Sequence, residues 1–209
     1  MSFILMNKNK DSLILGADTQ LTFDNGFKMT THKIIFNEQY RICFAFCGDI
    51  AYRRLNENTF QYLESILYDA MHKYREMPYS AFYYWLKQNI YSFLYEMPTI
   101  LNKYIQVMLI TWEEKIHFDT LFVSMWLPKK ELCYDPMLHK DSYAAGNSSQ
   151  IYNKENEKAD YQDQSTKQLY KRVLKTLHNK INDASLPTIG GTAEWICIQK
   201  DGSIYTNIK

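Results

Sequence analysis

The order in which the hydrophobic period changes along the chain is its strongest constraint. Residues 1 to about 48 carry short apolar runs broken by turn-forming residues, the mark of strands. Ser2–Met6 and Ser12–Leu15 flank a polar turn over Asn7–Asp11, Asp24-Asn25-Gly26 is a second turn, and Lys33–Phe36 and Arg41–Cys47 flank Asn37-Glu38-Gln39. From residue 50 to about 115 the spacing becomes helical: Leu55, Tyr62, Leu63, Ile66, Leu67, Ala70 and Tyr74 recur at three- and four-residue steps. Pro78 interrupts this pattern, and Ser80 is placed to cap a second helix reaching about Tyr95. Tyr104–Thr111 fits strand or helix. We read it as helix, because Pro98 suits a first helical turn.

Beyond residue 117 the strand signals return in Phe118–Leu127, Leu132–Pro136 and Ser142–Gly146, with Pro128-Lys129-Lys130 as a hairpin connection. Residues 153–168 are polar, a surface loop or helix start. Leu169, Val173, Leu177 and Ile181 line one face of a helix over Gln168–Ile181, and Thr192–Gln199 and Ser203–Ile208 form a closing hairpin through Asp201-Gly202. Strands, helices, strands, helix, strands is the order of a layered α+β protein, not of an alternating parallel sheet. Two antiparallel sheets packed face to face and flanked by helices use every apolar face, and no boundary divides residues 1–209 into domains.

Composition narrows the function. A net charge of +1 gives no electrostatic footprint for nucleic acid or an anionic membrane. No run of 18 apolar residues suggests a membrane span, and the start of the chain does not read as a signal peptide, so a cytoplasmic setting is expected. Cys43, Cys47, Cys133 and Cys197 form no CxxC and read as core residues, and the five histidines are scattered. Neither a metal nor a cofactor is expected. The 17 tyrosines suit half-buried positions and subunit contacts better than a base-stacking platform.

Four segments resemble proteasome β-subunits and the HslV-like peptidases, a family of N-terminal-nucleophile (Ntn) hydrolases. Leu13-Ile14-Leu15-Gly16-Ala17-Asp18-Thr19 resembles the family's second strand, ending in small-small-Asp. His32-Lys33-Ile34-Ile35 resembles its catalytic lysine, and Phe44-Ala45-Phe46-Cys47-Gly48 its glycine-terminated strand. Ile189-Gly190-Gly191 before the closing hairpin resembles its last hairpin, although Leu186-Pro187-Thr188-Ile189 departs from the usual pattern. The resemblance implies a four-layer αββα sandwich, the Ntn hydrolase fold, in which the side chain of the first mature residue is the nucleophile and its own amine the base.

Counting back from Asp18 along the strand lands on Ser2, which loss of Met1 would expose. A free α-amine titrates at about 7.7–8.0, close to working pH, and can take the hydroxyl proton. By the resemblance Lys33 lowers the proton affinity of the pair, Asp18 holds Lys33, and the Gly48 N–H meets the oxyanion. Asp183 and, near the Gly146-Asn147 turn, Ser148 resemble the remaining polar supports. The implied activity is a peptidase of the threonine type acting on peptide or unfolded protein, assembled as a homo-oligomeric ring, with room for an ATP-dependent unfoldase. The alternatives are a non-catalytic structural or binding subunit that retains Met1, and an amidohydrolase acting on a small molecule.

Overall fold

A computed structural model describes residues 2–22, 26–53, 60–97, 103–126, 131–134, 141–146, 149–156 and 160–208. Its elements, in chain order, begin with β1 (Phe3–Lys8), β2 (Ser12–Asp18), β3 (Gln20–Thr22), β4 (Lys28–Thr30), β5 (Ile34–Asn37), β6 (Ile42–Gly48), β7 (Ala51–Arg53) and β8 (Phe60–Tyr62). Two helices follow, α1 (Leu63–Glu76) and α2 (Tyr79–Glu96), then β9 (Lys103–Thr111), β10 (His117–Trp126), β11 (Glu131–Tyr134) and β12 (Ser142–Gly146). Helices α3 (Ser149–Glu155) and α4 (Thr166–Ile181) precede β13 (Ala193–Gln199) and β14 (Ile204–Thr206).

The architecture is α+β, with two five-stranded antiparallel sheets. The first runs β12-β1-β2-β13-β14 and the second β11-β10-β9-β6-β5; β3-β4 and β7-β8 are two-stranded ribbons. The apolar runs of the first sheet have no polar alternation because both faces are buried. Successive side chains point to opposite faces: Ile4, Met6, Leu13, Leu15 and Ala17 pack with Cys43, Ala45, Met108 and Ile110 of the second sheet. Phe3, Leu5 and Ile14 turn the other way, onto Leu169, Val173 and Leu177 of α4. The second sheet does the same: Phe44, Phe46, Ile105, Val107 and Leu109 pack with Leu67, Phe82, Leu86 and Ile90 of α1 and α2.

Three expectations are corrected. Tyr104–Thr111 is not helical; it lies within β9, between β6 and β10. A strand buried on both faces is a continuous apolar run, and its periodicity cannot be told from that of a buried helix. The helical segment does not begin near residue 50, because β7 and β8 pair as a hairpin before α1; Leu55 lies outside the described residues. Ser80 is not the cap of α2: that helix begins at Tyr79, with Pro78 in the cap position and no side-chain cap. The opposite end of α2 is closed from the second sheet, where the buried Lys103 gives its Nζ protons to the carbonyls of Leu94 (3.0 Å) and Met97. A cation at a helix C-terminus complements the exposed carbonyls there.

Helix α4 starts two residues before the expected Gln168. Ser165 accepts from the Gln168 N–H (3.3 Å), and the Gln168 side chain accepts from the Ser165 N–H (2.8 Å), a capping box. Residues 149–155, unassigned in the sequence reading up to 152, form α3. Asp24-Asn25 and Pro128-Lys129-Lys130 lie outside the described residues. Among the described residues no helix is long and apolar enough to cross a membrane.

Gly16 sets how closely α4 approaches β2. A Cβ there would lie 2.5 Å from Leu177 Cδ1 and 2.9 Å from Val173 Cγ1. Gly16→Val is expected to lower stability by about 1–3 kcal/mol through overpacking, measured by urea denaturation. Truncating Leu177 in the same chain should return part of that loss, since the two sites touch.

A candidate active site between the two sheets

Asp18 ends β2 of the first sheet, and Lys33 immediately precedes β5 of the second. Both side chains are fully buried, and Lys33 Nζ lies 2.8 Å from Asp18 Oδ1. Lys33 Nζ also donates to the Gln20 carbonyl at 2.5 Å. Burial depresses the Lys33 pKa below 10.5, and the Asp18 charge opposes that shift. The carboxylate is filled by backbone as well: Oδ1 accepts the Phe3 N–H at 2.7 Å, and Oδ2 those of Gly190 (3.2 Å) and Gln20 (3.3 Å).

Ser2 stands one residue before β1, next to the amide that Asp18 holds. It is wholly buried, and its Oγ has no hydrogen-bond partner among the described residues. Its carbonyl packs against Gly146, where a Cβ would fall 1.8 Å from Ser2 O. Gly146 has φ +90°, which an L side chain rarely adopts. The Gly146 N–H is held at 3.0 Å by Gln106 Oε1, from β9 of the second sheet. Cys47 Sγ lies 3.3 Å from the same virtual Cβ. Burial pushes the Cys47 thiol up to about 12, with the Lys33 charge pulling the other way, so it stays protonated and is a poor nucleophile. Gly48, with φ +104°, closes β6 beside it; a Cβ there would meet Tyr104 O at 2.2 Å.

Of the residues singled out in the sequence, Asp18 and Lys33 meet directly, Ser2 adjoins them through the Phe3 amide, and Gly48 follows Cys47 at the same junction. Asp183 has other contacts. It is exposed beyond the end of α4, and its carboxylate accepts from Ser185 N (2.9 Å) and Ser185 Oγ (2.6 Å), which lower its pKa. No hydrogen bond or ion pair joins it to Ser2, Asp18 or Lys33 among the described residues. Ser148 lies outside the described residues.

Three contributors were not read from the sequence. Glu194 of β13 is buried and accepts the N–H groups of Lys33 (2.5 Å) and Ile34 (2.9 Å). Gln106 holds Gly146, and the Gly190 amide reaches Asp18. A lone Glu in the run Ala193–Gln199 breaks an apolar strand, and that break was the available signal for it. Among the described residues no group of three His, Cys, Asp or Glu side chains is placed to hold a metal ion.

The arrangement is a buried ion pair whose carboxylate also holds the amide next to the buried Ser2 hydroxyl. Its energetics can be tested first without a substrate. Lys33→Met leaves Asp18 with three backbone donors, whereas Asp18→Asn leaves a buried ammonium with its anion removed. Removing one partner of a buried pair costs about 3–5 kcal/mol, so Asp18→Asn is expected near or above that range and Lys33→Met below it, by chemical denaturation at neutral pH. Because the folded-state pKa of Lys33 is depressed, the unfolded chain holds that proton more tightly. Stability should therefore rise as pH climbs from the depressed value toward 10.5, and this component should vanish in Lys33→Met. In comparisons with known proteins, the chain matches no family model and no curated protein.

Proposed function

We propose that this protein is an N-terminal-nucleophile amide hydrolase of the proteasome β type, with Ser2 as nucleophile once Met1 is removed. The observation that carries this reading is the Ser2 hydroxyl: buried, without a partner among the described residues, and adjacent to the amide that shares Asp18 Oδ1 with Lys33 Nζ. The packing supports the matching architecture, a four-layer αββα sandwich. One core cluster joins the two sheets, a second joins the first sheet to α4, and a third joins the second sheet to α1 and α2.

In the reaction, the freed Ser2 amine takes the Oγ proton as Oγ attacks the substrate carbonyl carbon. The tetrahedral oxyanion is met by the Gly48 N–H. The ammonium then gives its proton to the leaving nitrogen as the C–N bond breaks, leaving an ester on Ser2 Oγ. Water, deprotonated by the same amine, hydrolyses the ester. Lys33 favours the deprotonated forms of hydroxyl and amine by its charge. Substrates are peptides or unfolded protein segments. Exposed Tyr68, Tyr84 and Tyr95 on α1 and α2 suit the contacts of a homo-oligomeric ring, to which an ATP-dependent unfoldase would deliver chains.

The alternative is a non-catalytic subunit that keeps Met1. With Met1 attached, the Ser2 nitrogen is an amide and cannot serve as a base. Intact mass of the protein from its native host separates the two readings, loss of the Met1 mass being expected for the enzyme. The processed protein should be labelled by an acylating peptide electrophile, and Ser2→Ala should lower labelling and turnover about a thousandfold or more. Labelling that survives in Ser2→Ala overturns the mechanism. Turnover should rise with pH as the amine loses its proton, with a midpoint at or below about 7.7–8.0 because Lys33 lies nearby.

A further inference from the structure

Glu194 is a buried carboxylate to which the chemistry above gives no role. It projects from β13 of the first sheet across to the second, where a single oxygen, Oε1, accepts the backbone N–H groups of Lys33 and Ile34 at 2.5 and 2.9 Å. Its other oxygen lies 3.0 Å from Nδ1 of the half-exposed His32. Three consecutive residues are thus tied to one side chain. The tie falls where the chain enters β5, whose pairing with β6 begins at Ile34↔Ala45 and is extended by Lys33 O accepting from the Phe46 N–H.

The position of Lys33 Nζ depends on this tie. The lysine backbone belongs to the second sheet, while both acceptors of its Nζ, Asp18 Oδ1 and the Gln20 carbonyl, belong to the segment that leaves the first. Glu194 comes from that same first sheet, one register step from Asp18, since Ala193 pairs with Asp18 and Glu194 with Ala17. It therefore fixes the distance between the lysine's backbone and the lysine's partners. We propose that Glu194 is a positioning residue for the Ser2 reaction, holding the Lys33 backbone so that the ammonium stays on Asp18 beside the nucleophile. This rests on the reading of Ser2 as nucleophile.

The charged groups around Glu194 are consistent with that role. His32 and Lys33 face it from the segment entering β5. Burial raises the Glu194 pKa, while the backbone amide of Lys33, His32 and the Ile34 amide act to lower it. Asp18 of β2 is neutralised by Lys33, and Cys43 of β6, which feels the Glu194 charge, is a protonated thiol. The anion is therefore held by donors that converge on the Lys33 backbone.

The test compares Glu194→Ala, which removes the tie, with Glu194→Gln, whose amide oxygen keeps both backbone acceptances and so controls for folding. In Glu194→Ala, hydrogen exchange of the Lys33 and Ile34 amides should speed up by about tenfold or more. Its kcat should fall roughly ten- to a hundredfold with KM little changed. The rising limb of its pH profile should move upward by about half a unit as the displaced ammonium stops lowering the amine pKa. Glu194→Gln should restore most of kcat and of the limb. Faster exchange with unchanged kcat and limb overturns the assignment and leaves Glu194 purely structural; unchanged exchange also overturns it, because Glu194 then does not hold that backbone. A wild-type protein that the acylating electrophile does not label overturns the Ser2 reading itself, and this assignment with it. A labelled wild type with an unaffected Glu194→Ala overturns only this assignment.

Discussion

The ion pair between Asp18 and Lys33 links the two sheets where β2 ends and β5 begins, and the rest of the junction is arranged around it. Two charges without solvent exposure are expensive, and an apolar pair of the same volume is often as stable or more so. The pair is tolerated here because the carboxylate collects four donors and the ammonium has two acceptors. Asp18 collects an ammonium and three backbone amides, and Lys33 donates to a carboxylate and a carbonyl. Those amides come from β1, from the residue after Thr19 and from the segment before β13, so one carboxylate fixes three separate chain segments relative to one another.

The stretch Leu186-Pro187-Thr188-Ile189 leads into the same junction. Gln20 Nε2 donates to the Pro187 carbonyl at 3.0 Å, the Gln20 N–H to Gly190 O at 3.1 Å, and the Gly190 N–H to Asp18. Thr19 and Thr192 continue the strap: the Thr192 N–H donates to Thr19 Oγ1 at 2.9 Å, and the Thr19 N–H to Thr192 O at 3.1 Å. The segment thus reaches the carboxylate through one backbone hydrogen bond, from Gly190. A Cβ at Gly190 would come within 2.5 Å of Gln20 Oε1, so the glycine permits the close approach.

Legibility in the sequence follows from how local each signal is. The turn expected over Asn7–Asp11 rests on short-range hydrogen bonds to Asn9, although Asn7 and Lys8 still belong to β1, and strand β2 and helix α4 were read within a few residues of their ends; the capping box at Ser165, equally local, was not read. Strand β9 was misread because burial on both faces erases the alternation that identifies a strand, and β7 and β8 because three-residue strands carry too little pattern. Asp18 and Lys33 were found by resemblance, each lying next to an apolar run. Glu194 and Gln106 were missed because their roles exist only across sheets: Glu194 is 161 residues from Lys33, and Gln106 is 40 from Gly146. No local periodicity reports such a contact.

Gly146 explains how a hydroxyl at the start of a strand can be placed without a side-chain hydrogen bond among the described residues. The Phe3↔Gly146 pairing begins the β1–β12 ladder, and the absence of a Cβ lets the Ser2 carbonyl lie against the Gly146 backbone. Gln106 holds the Gly146 amide from the second sheet, and Asp18 holds the Phe3 amide from β2. Ser2 is thus bracketed on both neighbouring strands by backbone bonds, and its Cα and Oγ inherit the rigidity of the sheet. Groups carried on strands are placed more accurately than groups on loops.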